Sequence, residues 1–142
     1  MSGFLRLTYV SRSVAPLGRE RLANLLQTSE THNAVLGITG VLCAGRNHFM
    51  QTLEGIEEHV INLYARILRD ERHRDCALLD IGLVDTPMFE RWSMGFVDGD
   101  SLDPRLLDHM LELRTAAQRR DRTAALMQAF LERLRNPSQP TA

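Results

Sequence analysis

Two side chains that can form hydrogen bonds lie on strand faces that are otherwise apolar. Tyr9 ends the apolar face of a strand-like run that begins at Phe4, and Gln51 shares a face with Phe49 and Leu53. A buried amide without partners costs roughly 1–3 kcal/mol, so Gln51 needs hydrogen-bonding neighbours. One interpretation is an edge glutamine bonded to backbone or water, and an ordinary core tyrosine. The other is a pair that faces a ligand, because a carboxamide both donates and accepts.

Asn33 could bring a second amide to the same place. Asparagine is common at helix C-termini, and this is the simpler interpretation of the residue. The helix that it ends is expected on the sheet face that carries Tyr9 and Gln51, which would direct the amide into the space between them. The histidines lack metal-ligand spacing, and the sequence contains no HExxH, Walker or GxGxxG motif. We therefore expect no metal site.

Hydrophobic periodicity predicts the element order β-α-β-β-α-β-β. The expected strands are 4–10, 37–45, 48–55, 76–84 and 92–97, and the expected helices are 22–33 and 57–70. A turn at 45–47 makes a hairpin, and 71–75 is expected to be a polar loop. The first six elements follow the ferredoxin-like split βαβ pattern. This predicts an α+β fold with a mixed five-stranded sheet, two helices on one face, and Tyr9 beside Gln51 on neighbouring central strands.

The sequence changes character after residue 98. Ser101 or Asp103 could cap a helix that has Pro104 in its first turn. A helical pattern then runs toward Arg135 and ends in an apolar stripe formed by Leu126, Met127, Phe130, Leu131 and Leu134. We expect these C-terminal helices to pack on the other face of the sheet, with some contribution to a dimer.

Length and composition fit one soluble domain. The 142 residues are 44% hydrophobic and 25% charged, with a formal net charge of −1. This balance argues against disorder and against general binding to nucleic acid or a membrane surface. The longest apolar stretch is far shorter than the ~20 residues of a bilayer span, and Arg6 interrupts any signal peptide. Cys43 and Cys76 form no CxxC motif, so we expect free thiols in the cytoplasm.

Taken in order, these segments resemble the BLUF family of flavin-binding blue-light sensors. The similar segments are LTYVSRS at 7–13, THNAVLGITGVL at 31–42, FMQTLEG at 49–55, ILRDERH at 67–73 and WSMG at 92–95. The pattern runs over about two-thirds of the chain with family-like spacing. Each segment is weak alone, and the ordered set is specific.

The resemblance implies a flavin ring between the two helices, over the sheet. Tyr9 would be the photo-oxidisable tyrosine, Gln51 would bridge it to flavin N5 and O4, and Asn33 would anchor the pyrimidine edge. Further pocket positions are matched by Ser29, His32, Asp70, Arg72 and His73, with Arg72 a partner for ribityl or phosphate oxygens. Trp92 and Met94, which alternate on one face of the expected last strand, match the switching segment. The cofactor would be FAD, with FMN or riboflavin as substitutes in vitro.

The resemblance also implies a photoreceptor rather than an enzyme. Light would drive electron and proton transfer from Tyr9 through Gln51, and the rearranged amide would change the hydrogen bond at flavin O4. The last strand and the C-terminal helices would relay this change to a separate partner protein, since too few residues follow 98 for an effector domain. The expected units are a flavin-binding domain (1–98), a helical extension (99–136) and a flexible tail (137–142), in a homo-oligomer.

Two other classes of protein compete on the same fold. One is a metabolite-binding regulatory module. The other is an acylphosphatase-like hydrolase in which Arg12 and Asn33 would act on a phosphate ester, although Arg12 lies in a Ser-Arg-Ser loop rather than a clear phosphate-binding one. Colour distinguishes them, because only the sensor is expected to be yellow and to shift reversibly to the red in light.

Overall fold

The computed structural model describes residues 3–15, 18–45, 48–99 and 116–136. Its elements are β1 (Phe4–Ser13), α1 (Arg19–Leu36), β2 (Thr39–Gly45), β3 (His48–Ile56), α2 (Glu57–Leu68), β4 (His73–Val84), β5 (Gly95–Asp98) and α3 (Ala116–Arg135). The strands form one sheet in the order β4-β1-β3-β2-β5. β2 and β5 are parallel, and the other neighbours are antiparallel. The predicted α+β fold with a mixed five-stranded sheet is confirmed.

Each face of the sheet carries its own apolar cluster, because successive side chains on a strand point to opposite faces. The first cluster, on the side of α1 and α2, contains Leu5, Leu7, Tyr9, Ile38, Leu42, Phe49, Leu53, Val60 and Met94. The second cluster, on the side of α3, contains Val10, Val41, Cys43, Met50, Leu79, Phe89, Val97, Leu126, Met127, Phe130 and Leu131. The predicted packing of the C-terminal apolar stripe on the second face is confirmed for α3.

Several element boundaries differ from the prediction. α1 continues three residues beyond Asn33 to Leu36. Gly37 caps it, and its φ of 68° is the left-handed conformation that glycine adopts without strain. β4 begins at His73, so most of the predicted polar loop 71–75 is strand. The cause is β1, which extends to Ser13 and pairs there with His73. Asp75, with a φ of 55°, marks an irregularity in this extension.

The prediction of the last strand is wrong at its beginning. β5 starts at Gly95, so Trp92 and Met94 precede it. The backbone carbonyl of Trp92 accepts a hydrogen bond from the Gly40 N–H at 3.0 Å, outside the β2–β5 ladder. Because the backbone here is not extended strand, the two side chains do not share a face. Met94 belongs to the first cluster, and Trp92 packs against the second.

Some predictions fall on residues outside the described ranges. These are the helix capped by Ser101 or Asp103, the turn residues 46–47 and the flexible tail 137–142. The hairpin itself is confirmed, because Gly45 and His48 are partners in the β2–β3 ladder. None of the helices described here is both long enough and apolar enough to cross a membrane.

Candidate functional site

A cavity of about 610 Å³ lies between α1, α2 and the sheet. This volume is within the ~300–1,000 Å³ range of small-molecule sites. All the residues predicted to bind the cofactor line it, namely Tyr9, Ser29, His32, Asn33, Gln51, Asp70, Arg72 and His73. Apolar walls are supplied by Leu25, Leu42, Phe49, Leu63 and Ile67. Apolar walls that also include the amides of Asn33 and Gln51 suit a flat aromatic ring that has a polar edge.

Tyr9 and Gln51 are directly bonded inside this cavity. They are cross-strand partners on β1 and β3, and both are buried. The Tyr9 hydroxyl donates to Gln51 Oε1 at 2.5 Å, and Gln51 Nε2 donates to Met94 Sδ at 3.5 Å. The predicted neighbourhood of the two side chains is confirmed. The amide therefore links a phenol on β1 to the segment that leads into β5.

The surroundings of Tyr9 favour its neutral phenol form. Burial raises the pKa of Tyr9 above its usual value, and charge on Cys76, Tyr64 and Asp70 raises it further. The Tyr64 ring on α2 lies with its centroid 5.4 Å from that of Tyr9, and the His73 ring lies at 6.2 Å. A protonated phenol is the form that can donate to the Gln51 oxygen.

Asn33 lies in the last turn of α1, where it is 1% exposed. Its side-chain Nδ2 donates to the carbonyl oxygen of Ser93 at 2.8 Å. Its backbone carbonyl accepts from the Ile38 N–H at 2.9 Å, which belongs to the turn at Gly37 that ends the helix. Asn33 therefore connects the wall of the cavity to the same segment that Gln51 contacts through Met94.

His73 is held between β1 and α2. Its Nε2 lies 2.6 Å from the carbonyl oxygen of Ile67, and its Nδ1 lies 2.7 Å from the Ser11 hydroxyl. A carbonyl can only accept, so Nε2 donates to Ile67, while Nδ1 pairs with the serine hydroxyl. The Cys76 sulfur lies 3.6 Å from Nδ1. The imidazole is therefore fixed in orientation at the edge of Tyr9.

The rim of the cavity carries an ion pair between Asp70 and Arg72. Asp70 accepts from the Arg72 backbone N–H and from Arg72 Nε, each at 2.9 Å. The side-chain hydrogen bond from Arg72 lowers the pKa of the Asp70 carboxyl, against the effect of partial burial. Arg66 was missed by the sequence analysis. Its guanidinium, on α2, lies 3.0 Å from His32 Nε2 on α1, and no local sequence pattern indicates this contact between the two helices.

Three other sequence-predicted residues lie elsewhere. Met94 and Trp92 are not part of the cavity lining, although Met94 touches Gln51 from outside it. Arg12 is exposed and does not line the cavity either, so the structure does not bring it together with Asn33 as the hydrolase alternative requires. Within the described ranges, no group of three or more His, Cys, Asp or Glu side chains could hold a metal ion.

Comparisons with known proteins agree with this geometry. A family model described as "BLUF: Sensors of blue-light using FAD" matches residues 4–95. The photoactivated adenylate cyclase subunit beta of Euglena gracilis is 44% identical over 69 residues, which are 49% of this chain and 8% of that protein. The chain therefore spans a small fraction of the length of this curated relative.

Solved structures agree over a larger part of the chain. The dark-state structure of BlrB, a BLUF protein, has a TM-score of 0.80 and 28% identity, covering 94% of this chain and 99% of that one. Klebsiella pneumoniae BlrP1 with FMN and cyclic diGMP has a TM-score of 0.69 and 29% identity, covering 91% of this chain and 34% of that one.

Proposed function

Because the chain belongs to the BLUF family of blue-light sensors, we propose that its cavity holds a flavin and that Tyr9 and Gln51 are its photoactive pair. The observation that carries this proposal is the series of contacts that begins in the cavity at the Tyr9 hydroxyl, passes through the Gln51 amide and ends at Met94 just outside the cavity lining. These contacts supply an oxidisable phenol, an amide that can relay a proton, and a connection to the residues that lead into β5.

We propose FAD as the resident flavin. The apolar walls suit a ring system, and the amides of Asn33 and Gln51 in the cavity lining would be the partners of its polar edge. Ser29, His32, Asp70, Arg72 and His73 would complete the contacts around the ring and the ribityl chain. Recognition centred on the ring would also admit FMN or riboflavin in vitro, and the FMN in the BlrP1 structure supports this.

The bound flavin supplies a strong one-electron oxidant when it absorbs blue light. Tyr9 would be the electron donor. Burial raises the pKa of its neutral phenol above the usual value of about 10, and loss of an electron would make the phenol proton far more acidic than that. The 2.5 Å hydrogen bond gives this proton a direct path to Gln51 Oε1. Gln51 can pass a proton on because the same group donates and accepts. Its rearranged amide would then exchange its contact with Met94 for a new one.

The proposed output runs from Met94 into β5 and α3. Met94 immediately precedes β5, and α3 packs on the other face of the same sheet. The change of hydrogen bonding at Gln51 is small. It can affect β5 and α3 only if these elements have two arrangements of similar energy, one of which the change then favours. The adenylate cyclase relative and the cyclic diGMP-bound BlrP1 suggest that sensor domains of this kind control effectors. We propose a light-dependent contact with a separate partner protein, and a homo-oligomer stays a prediction.

The decisive experiment is the absorption spectrum of the purified protein in the dark and after blue light. We expect a yellow protein whose flavin bands shift reversibly to the red. Tyr9→Phe should keep the flavin and lose the shift, because the ring remains while the donor hydroxyl is removed. A colourless protein that takes up no added flavin would refute the cofactor assignment. A normal photocycle in the Tyr9→Phe variant would refute the role of Tyr9.

A further inference from the structure

Glu54 is a completely buried carboxylate on the side of the sheet opposite to the cavity. It follows Gln51 by three residues on β3, so the two side chains point to opposite faces. Glu54 Oε2 accepts from Arg6 Nε at 2.8 Å and from the Met88 backbone N–H at 2.7 Å. Glu54 Oε1 accepts from the Phe89 backbone N–H at 2.7 Å. One side chain of β3 therefore captures two consecutive N–H groups of the chain between β4 and β5.

These N–H groups begin the 88–94 segment, which is the last part of the 85–94 connection between β4 and β5 and belongs to neither strand. Its carbonyls at positions 92 and 93 accept from Gly40 and from the Asn33 side chain. Its last residue, Met94, accepts from Gln51 Nε2. The segment is thus anchored by Glu54 at its beginning and by contacts beside the cavity at its end.

We propose that Glu54 is a positioning residue for the photoreaction, because its carboxylate fixes the 88–94 segment and thereby holds Met94 against Gln51. The inference rests on the proposed photoactive role of Gln51. Gln51 and Glu54 both belong to β3. Glu54 therefore fixes the 88–94 segment relative to the same strand that carries the Gln51 amide. Arg6 supplies the opposite charge that a fully buried carboxylate requires.

Glu54→Gln should loosen this anchor with little change of shape. An amide offers one acceptor oxygen, and its NH₂ group would face the donors of Arg6 or Met88. At least one hydrogen bond to a charged acceptor is then lost, which corresponds to about a tenfold change in an equilibrium or a rate. A segment that is held less firmly lets the rearranged amide return past Met94 more easily. We therefore expect dark recovery to be about tenfold faster, with flavin binding retained.

The experiment compares two measurements on the flavin-loaded protein. Hydrogen exchange in the dark, followed by mass spectrometry, reports the opening of the peptide that contains Met88 and Phe89. The decay of the red-shifted spectrum after blue light reports dark recovery. Glu90→Gln is the matched control, because it makes the same chemical change in the same segment at an exposed side chain. The double variant Arg6→Met with Glu54→Gln avoids a buried unpaired charge if the single variant does not fold.

Faster exchange at 88–89 together with faster recovery in the Glu54 variants, and neither in Glu90→Gln, would support the proposal. Unchanged exchange would overturn it, because Glu54 would not hold the segment. Faster exchange with unchanged or slower recovery would also overturn it, since the segment would then not govern the return of Gln51. If the unsubstituted protein shows no red shift, the proposed function fails, and the exchange data still decide whether Glu54 anchors the segment.

Discussion

The Tyr9–Gln51 hydrogen bond should be measurable as a coupling energy in the dark protein. Tyr9→Phe removes the donor and leaves Gln51 Oε1 buried, since Gln51 is 7% exposed. Gln51→Met leaves the phenol hydroxyl without its acceptor. Each buried group left without a partner costs about 1–3 kcal/mol, whereas removing both partners together costs much less per group. The double variant should therefore be more stable than the sum of the two single effects predicts, by about 1 kcal/mol or more.

Equilibrium denaturation in the dark measures all four proteins of this cycle. The flavin concentration must be fixed in excess, because a ligand that binds only the folded state raises the apparent stability. A loss of 1 kcal/mol corresponds to a shift of the melting temperature on the order of 2–4 °C for a chain of this size. If the two single effects add to within about 0.3–0.5 kcal/mol, the hydrogen bond carries no net energy. The argument for a direct phenol–amide path would then fail.

Three further expectations follow from the same structure. Arg72 lowers the pKa of Asp70, so the stability that this pair contributes is present above about pH 4 and is lost as pH falls through the folded-state pKa. Arg72→Gln should therefore reduce the loss of stability between pH 4 and lower pH in a denaturation series. An unchanged loss of stability in that pH range would contradict this expectation. A Cβ on Gly40 would lie 2.1 Å from a β3 carbonyl oxygen. Gly40→Ala should therefore lower the free energy of unfolding by more than about 2 kcal/mol, measured by thermal melting, and weaken flavin binding, measured by titration. Thr8 and Thr52 place their buried hydroxyls 2.8 Å apart, so Thr52→Val should lower the free energy of unfolding by about 1–3 kcal/mol in chemical denaturation. The double variant Thr8→Val with Thr52→Val should lose much less stability per hydroxyl, because neither group is left without its partner. Equal losses per hydroxyl in the single and double variants would refute the pairing.

The sheet and the pairing of Tyr9 with Gln51 were predictable because they depend on local periodicity. Alternation along two short runs assigned Tyr9 and Gln51 to apolar faces, and the split βαβ order made their strands neighbours. Both inferences need only the period-two rule and one topological pattern. The apolar stripe of α3 followed from helical spacing in the same way, and its burial against the second face is observed.

The 88–94 segment was not predictable from local pattern. Trp92 and Met94 alternate like strand residues, yet the backbone around them bonds to groups far away in sequence. The partners are a carboxylate on β3, a glycine N–H on β2 and an amide on α1. Similarly, β4 begins at His73 because β1 extends to Ser13 and pairs with it there. The polar residues 71–75 gave no indication of this strand. Long-range hydrogen bonds override local propensity at these places.

Strands β1 and β3 carry side chains toward both the cavity and α3, and we propose that they provide a second route for a light signal. On β1 and β3, the neighbours in sequence of Tyr9 and Gln51 are Thr8 and Thr52, whose hydroxyls meet on the opposite face. The Thr52 hydroxyl also contacts Met127 Sδ of α3 at 2.7 Å. Because adjacent residues share a peptide plane, a backbone adjustment that accommodates a rearranged Gln51 must also move Thr52. Such a displacement would reach α3 through this buried contact as well as through β5, so we expect α3 to respond even where the 88–94 segment is held fixed.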